Sequence, residues 1–445
     1  MIILWNESYV RLGLVILGSY FLCISLMQIL LQALSYRRHQ RRVRQNKDEL
    51  PSLTLLVPAR NEESVVVESL SRSLQLPLKK FDVIVVENAS TDRTYQLLNE
   101  MFQMRPEGNG VYRSITHPQL RMVRSEIPGK ALALNLALPY VTTEVVATMD
   151  ADTIPEIAGI ESLLREFRAR PDVMALGGIV RVMNPDNISE RKATVPSAHG
   201  YAIQSLEYLR AFSGERLGWG LLKGNIYMSG ACALFRTDTL KEHGGFQIDS
   251  VTEDLETSLE LVKRAPKDHH PIDIIPAEVA WTQVPHNLSG LFQQRRRWQA
   301  GLWQCLWKYR GLFLNPKRGI VGFLAMPYIL LVEGIGPLME FAAYVLIAAA
   351  LYCEFLEPMP VLTVTAIGLT LSALLTIWAA SVENRYIPED ADWPLWKVFL
   401  ISFPLNLIHR PIVNLVRVDA TLRWPFIRSW GRIARKELKT ESALA

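Results

Sequence analysis

Hydrophobic and polar positions along this chain fall into two regimes. Residues 12–34 form a nearly unbroken apolar run of about 23 residues, enough at 1.5 Å per residue to cross a hydrocarbon layer of roughly 30 Å. Residues 37–320 switch to short apolar blocks bounded by polar turns. Strands are predicted at 53–57, where Pro58 stops the run, and at 81–86, 120–125, 145–149 and 173–182. Helical periodicity lies between them at 63–75, 92–103 and 130–138. This alternation predicts right-handed βαβ units, hence an α/β fold with a mainly parallel sheet. After residue 320 the apolar regime returns. The run 320–352 exceeds one span and contains Pro327, Gly334, Gly336 and Pro337, which predicts an interfacial start and a kinked crossing. Residues 361–380 read as a clear span. Residues 393–416 are broken by Pro404, His409, Arg410 and Pro411, so this segment crosses, bends back or lies in the interface.

Charge orients these segments. Arg37, Arg38, His39, Arg41, Arg42, Arg44 and Lys47 follow the first apolar run, which has no small-residue cleavage site and so reads as an anchor. By the positive-inside rule the N-terminus is outside and the next domain cytoplasmic; a lipid-binding patch is the alternative. Arg423, Arg428, Arg432, Arg435 and Lys436 argue for a cytoplasmic C-terminus, so three full spans plus a partial or re-entrant segment fit best. The expected organisation is an anchor at 1–36, a soluble α/β domain at 37–290, amphipathic interface helices at 291–319, a membrane region at 320–416 and a basic tail at 417–445. The net charge of +4 is small and its positive part is local, so nucleic acid is not an expected partner. Cys23, Cys232, Cys305 and Cys353 lack any Cys-x-x-Cys spacing, and His269, His270 and His286 lack metal-ligand spacing.

Polar residues gather where the predicted strands end, which is where an open α/β sheet binds ligands. These are Pro58-Ala59-Arg60-Asn61-Glu62, Glu87-Asn88-Ala89-Ser90-Thr91-Asp92, Gly129-Lys130 and Asp150-Ala151-Asp152-Thr153. Neither Gly-x-Gly-x-x-Gly nor a Walker loop is present. Two hard carboxylates one residue apart suit Mg²⁺ or Mn²⁺ carrying a diphosphate, although a lone Asp-x-Asp is also an ordinary turn leading to a cap. Further on, Thr252 precedes Glu253, Asp254 and Glu256, with Leu255, Leu259, Leu261 and Val262 at helical spacing. That pattern predicts a Thr-capped helix with an acidic first turn. Gln294, Arg297 and Trp298 stand at i, i+3 and i+4 on one helix face. A guanidinium there suits a diphosphate and an indole suits a sugar ring. The neighbouring Arg295, Arg296, Leu302, Trp303, Leu306, Trp307 and Tyr309 would also seat such a helix at a membrane surface.

The four strand-end motifs, in this order and spacing, resemble the nucleotide-sugar half of a family 2 glycosyltransferase with a GT-A fold. Thr252-Glu253-Asp254 resembles the family's catalytic-base motif. Gln294-Arg295-Arg296-Arg297-Trp298 resembles the Gln-x-x-Arg-Trp signature of its processive membrane branch, which includes cellulose, hyaluronan and poly-N-acetylglucosamine synthases. The resemblance covers about residues 1–435 and is most specific over 53–300.

It implies Asp254 as base with Glu253 beside it, and donor contacts from Pro58, Ala59, Arg60, Glu62, Asn88, Lys130, Asp150, Gln294 and Arg297. Asp152 and then Asp150 would hold Mg²⁺ or Mn²⁺. Trp298, Gly230 and Cys232 would face the acceptor, while Cys232 read alone is a small packed hydrophobe and Lys130 read alone neutralises phosphates, pairs with a carboxylate or is an ordinary solvent-facing helix-start lysine. The implied activity is inverting transfer from a UDP-sugar to a growing polysaccharide at the plasma (inner) membrane, with lipids and envelope-export proteins as further partners. A single-transfer glycolipid synthase of the ceramide-glucosyltransferase type and an inactive nucleotide-sugar sensor are the alternatives. One departure bears on the donor: Glu87-Asn88-Ala89-Ser90 stands where relatives commonly carry Asp-Asp-Gly-Ser, whose second aspartate binds uracil. Asn88 keeps one donor and one acceptor for that task.

Overall fold

Leu53, Leu55 and Val57 pack on one face of the sheet with Val83 and Val85, whereas Leu56, Ile84 and Val86 pack on the other. Strands apolar on both faces must lie between two layers, and each fully buried aliphatic side chain contributes about 1.5–3 kcal/mol to holding them there. A computed structural model describes residues 7–41, 49–184, 193–196, 199–266, 270–387, 391–427 and 435–438. Of the positions discussed above, Arg42, Arg44, Lys47, His269, Arg428 and Arg432 lie outside the described residues.

The parallel heart of the sheet consists of β1 (Leu53–Ala59) and β2 (Phe81–Asn88), flanked by β5 (Leu120–Ser125) and β6 (Val145–Met149). Around it lie β3 (Met104–Gly108), β4 (Val111–Ser114), β7 (Thr153–Pro155), β8 (Ala175–Val182), β9 (Cys232–Arg236) and β10 (Ile272–Thr282). The spatial order is β3-β4-β5-β2-β1-β6-β9-β8-β10-β7. Besides the three central parallel pairings, β8 and β10 also run parallel; the remaining pairings are antiparallel, so the sheet is mixed. Three of the expected helices are α2 (Val66–Ser73), α3 (Thr94–Phe102) and α4 (Lys130–Ala137). They are followed by α5 (Ile157–Ala169), α6 (His199–Leu209), α7 (Leu217–Leu222), α8 (Thr237–Glu242), α9 (Glu253–Arg264) and α10 (Leu288–Lys308).

Among the described residues four helices are long and apolar enough to cross a membrane, by length and composition: Glu7–Gln40 (α1), Val321–Tyr352, Pro358–Tyr386 and Leu395–Phe426. The second and fourth contain π-helical turns beside Pro327, Pro337, Pro404 and Pro411, where missing amide donors loosen the ladder. These helices are tied to the sheet. A Cβ on Gly218 would come within 2.2 Å of the Leu31 carbonyl oxygen, so glycine lets α7 lie against α1. Arg38 at the end of α1 pairs with Asp273 of β10 at 2.6 Å. Arg181 of β8 lies 2.9 Å from Glu278 and 2.7 Å from Glu383 of the Pro358–Tyr386 helix. Trp393 Nε1 donates to the same Glu383 at 2.7 Å.

Candidate active site

The carboxyl ends of β1, β2 and β6 open onto one cavity of about 1980 Å³, and nearly every residue singled out by the sequence lines it. Lys130 opens α4 and is buried. Its Nζ lies 2.7 Å from Asp150 Oδ1 and 2.7 Å from Glu253 Oε1, and it donates to the Gly230 carbonyl at 3.4 Å. Burial works against the ammonium, but Asp150, Glu253 and Asp254 outweigh it and hold the lysine above its ordinary pKa. Lys130 is therefore a fixed charge inside the site and does not face solvent.

Thr252 is the residue before α9, as expected, but its hydroxyl makes no capping bond. It faces Cys305 and the backbone of Gly301 on α10. In the first turn Glu253, Leu255 and Glu256 are buried, and Asp254 alone stays partly open. The Gly230 amide donates to Asp254 Oδ2 at 3.0 Å, and the Leu255 amide donates to Oδ1 at 2.8 Å. A Cβ on Gly230 would meet Asp254 Oδ2 at 3.0 Å and Lys130 Nζ at 3.2 Å, so a larger residue here would press both side chains aside by a few tenths of an ångström. Burial raises the pKa of Glu253 while Lys130 opposes it. Glu253 thus acts by placing Lys130, and Asp254 presents the available carboxylate.

Helix α10 brings the third group. Lys308 pairs with Glu256 at 2.6 Å and Tyr309 donates to Glu260 at 2.9 Å, which clamps α10 to α9. Gln294, Arg297 and Trp298 then face the cavity together. Gln294 is buried with its Oε1 unpartnered among the described residues. Arg297 is lowered by burial, and Glu253, Asp150 and Asp254 offset this. The Arg295 guanidinium lies 4.8 Å from the Trp298 ring centroid and pairs with Glu207.

Pro58, Arg60, Glu62 and Asn88 also line the cavity. Asn88 Oδ1 already accepts from the Gly129 amide at 3.1 Å, which joins β2 to the turn before α4. Two expected contacts are corrected. Ala59 and Cys232 are fully buried in the core, outside the cavity lining, because the period-two alternation of β1 and β9 turns their side chains inward. Burial raises the Cys232 thiol to about 12, leaving it a packed hydrophobe.

Asp152 is buried. Its Oδ1 accepts from Thr153 at 3.2 Å and from Thr282 at 3.3 Å, and its Oδ2 lies 2.8 Å from Arg435 Nη2. Arg435 also approaches Glu62 at 3.9 Å. The sequence offered no local signal for Arg435 at the site, since a basic tail reads only as a topology charge. The socket already holds a cation, and its hard oxygens suit Mg²⁺ or Mn²⁺. Among the described residues no group of three His, Cys, Asp or Glu side chains is placed to hold a metal ion.

Comparison with known proteins bears on family and fold. Residues 54–244 match the family described as glycosyl transferase family 2. A poly-beta-1,6-N-acetyl-D-glucosamine synthase of Staphylococcus aureus (strain COL) is 27% identical over 256 residues, 58% of this chain and 56% of that protein. The protein of the same name from Staphylococcus epidermidis is 25% identical over 263 residues, with the same shares covered. The match thus spans little more than half the length of these curated relatives. The mannosyltransferase PcManGT of Pyrobaculum calidifontis, solved with GDP-Man and Mn²⁺, superposes with a TM-score of 0.58 at 19% identity over 92% of this chain and 99% of that one, which shows a shared fold.

Proposed function

Residues 54–244 of this chain form a glycosyl transferase family 2 domain, and from that premise we propose that the whole chain is a membrane-embedded, inverting polysaccharide synthase that uses a UDP-hexose or UDP-N-acetylhexosamine. One observation carries the reading. The cavity that holds Asp254 continues past Trp298 between the apolar helices, where Tyr20, Tyr344, Ile347 and Leu369 line it. Two ion pairs lie along this passage, Arg417 with Glu333 at 2.7 Å and Arg410 with Glu340 at 3.2 Å. Polar and ionic groups among membrane helices are costly and mark substrate paths, and a hydrated glycan needs such a lining.

In this reading Asp254 takes the acceptor hydroxyl proton as its oxygen attacks the anomeric carbon opposite the departing diphosphate. The Gly230 amide fixes the Asp254 carboxylate, and Glu253 fixes Lys130. Lys130 and Arg297 supply positive charge toward the leaving group, and Trp298 stacks on the acceptor sugar. A divalent ion held by Asp150 and Asp152 would neutralise the diphosphate.

The proposed topology has three full crossings, α1, Val321–Tyr352 and Pro358–Tyr386, with the sheet domain cytoplasmic. Arg37 and Arg38 in the last turn of α1 and Arg41 just after it support its side. The Arg435–Asp152 contact supports the count, because two crossings after residue 320 return the chain to the sheet's side and a third would part these residues. Leu395–Phe426 then enters and returns. Sizing the radiolabelled product made by purified protein from each UDP-sugar tests the activity: long chains support it, and a product with one added sugar overturns it.

A further inference from the structure

Arg435 occupies a place built for a cation. Its Nη2 lies 2.8 Å from Asp152 Oδ2, and its Nε lies 3.9 Å from Glu62 Oε2. The short segment that carries it is seated. Gln283 Nε2 donates to the Lys436 carbonyl at 2.8 Å, and the Lys436 amide donates back to Gln283 Oε1 at 3.2 Å. Leu438 is buried in the cluster that contains Val65, Ile154 and Met183, the last two flanking the Asp152 turn and the end of β8. Three independent anchors therefore hold residues 435–438: an ion pair, a two-way amide bond and an apolar plug.

Asp152 has little else to balance its charge. Among the described residues its other oxygen accepts from the hydroxyls of Thr153 and Thr282, while Lys130 pairs with Asp150 and Glu253. A buried carboxylate needs a counter-charge, and Arg435 supplies one from a sequence position about 280 residues away. Two cations on that one carboxylate oxygen repel each other in a low-dielectric site.

We propose that Arg435 is an internal counter-ion for the Asp152 socket, that it and a divalent cation occupy the socket in alternation, and that metal loading undocks residues 435–438. The inference rests on Asp152 being a metal ligand. It makes the C-terminal segment a built-in competitor of the metal: whatever factor the docked segment takes from metal affinity, the metal takes from docking. The empty enzyme keeps Asp152 neutralised, and the loaded enzyme frees the guanidinium.

The test uses the full chain in detergent without donor. Mn²⁺ affinity is measured by electron paramagnetic resonance for wild type, Arg435→Gln, Asp152→Asn and the distant control Arg423→Gln. In parallel, hydrogen exchange is followed over residues 435–438 with and without Mn²⁺. Arg435→Gln is expected to bind Mn²⁺ on the order of tenfold more tightly, while Arg423→Gln matches wild type. Mn²⁺ is expected to speed exchange at the Lys436 amide in wild type. Unchanged or weaker Mn²⁺ binding by Arg435→Gln, or a Lys436 amide indifferent to Mn²⁺, overturns the proposal even where Mn²⁺ still binds through Asp152. Mn²⁺ affinity unaffected by Asp152→Asn removes the ligand reading itself, and the proposal with it.

Discussion

Lys130 Nζ and Glu253 Oε1 lie 2.7 Å apart, which ties the first residue of α4 to the residue just before the candidate base Asp254. Two motifs separated by more than a hundred residues are thereby one unit. Lys130→Met should leave Glu253 and Asp150 facing each other without a cation. Removing one member of a buried pair costs about 3–5 kcal/mol, reduced here because Asp150 is partly solvated. Thermal unfolding in detergent should show a lower midpoint, and adding Glu253→Gln should recover part of it. Additive losses would mean that the two groups are not coupled.

Asp254→Asn keeps the size of the side chain and one of its two backbone contacts, from the Gly230 or the Leu255 amide, but removes the base. Turnover should fall by a factor on the order of 10² to 10⁴ while UDP affinity holds. An equal loss of UDP binding, read by calorimetry, would mark Asp254 as a structural residue.

Three tryptophans of α10 separate sugar contact from helix seating. Trp298 lines the cavity and is 37% exposed, Trp303 donates to Thr421 at 3.2 Å, and Trp307 is 62% exposed beside Trp424. Trp298→Ala should shorten the product and weaken acceptor use by roughly 0.5–1.5 kcal/mol beyond lost area, with donor hydrolysis intact. Trp303→Ala should lower thermal stability, and Trp307→Ala should change little. The same product length in all three variants would remove the stacking role.

Much of this site was legible because its chemistry sits at strand ends. Asp150, Asp152, Asn88 and Glu62 each follow an apolar run whose burial forces the next polar residues onto one edge of the sheet. What escaped has no local period. Arg181–Glu278–Glu383 and Arg435–Asp152 join residues distant in sequence, and nothing near either partner announces the other. Ala59 and Cys232 were misplaced for a different reason: a motif names a stretch, whereas strand alternation decides which of its side chains reaches the ligand. Strand β3, Met104–Gly108, was unmarked because it is short and polar and contains proline. The parallel core was readable from its double-sided apolar runs, and the antiparallel flank was not.

Glu62 provides a pH signature. Burial, with Asp152 and Asp150 nearby, raises its pKa from 4.5 to about 8, although Arg435 opposes the shift. The folded state therefore favours the protonated carboxyl. The stability this contributes is complete below the unfolded value and is lost as pH rises through about 8. With chelator present, the unfolding midpoint of wild type should fall between pH 5 and pH 8 more steeply than that of Glu62→Gln. Parallel curves would show that Glu62 titrates normally.

The central claim is that one site both polymerises sugar and feeds the product into the membrane cavity. Its most direct test is reconstitution in vesicles with the sheet domain facing out, supplied with a radiolabelled UDP-sugar and Mg²⁺ or Mn²⁺. The account predicts long, water-soluble polymer that a glycoside hydrolase added outside cannot digest until detergent opens the vesicles. A label that extracts into organic solvent as a lipid bearing one added sugar, or polymer wholly digestible from outside, would contradict it.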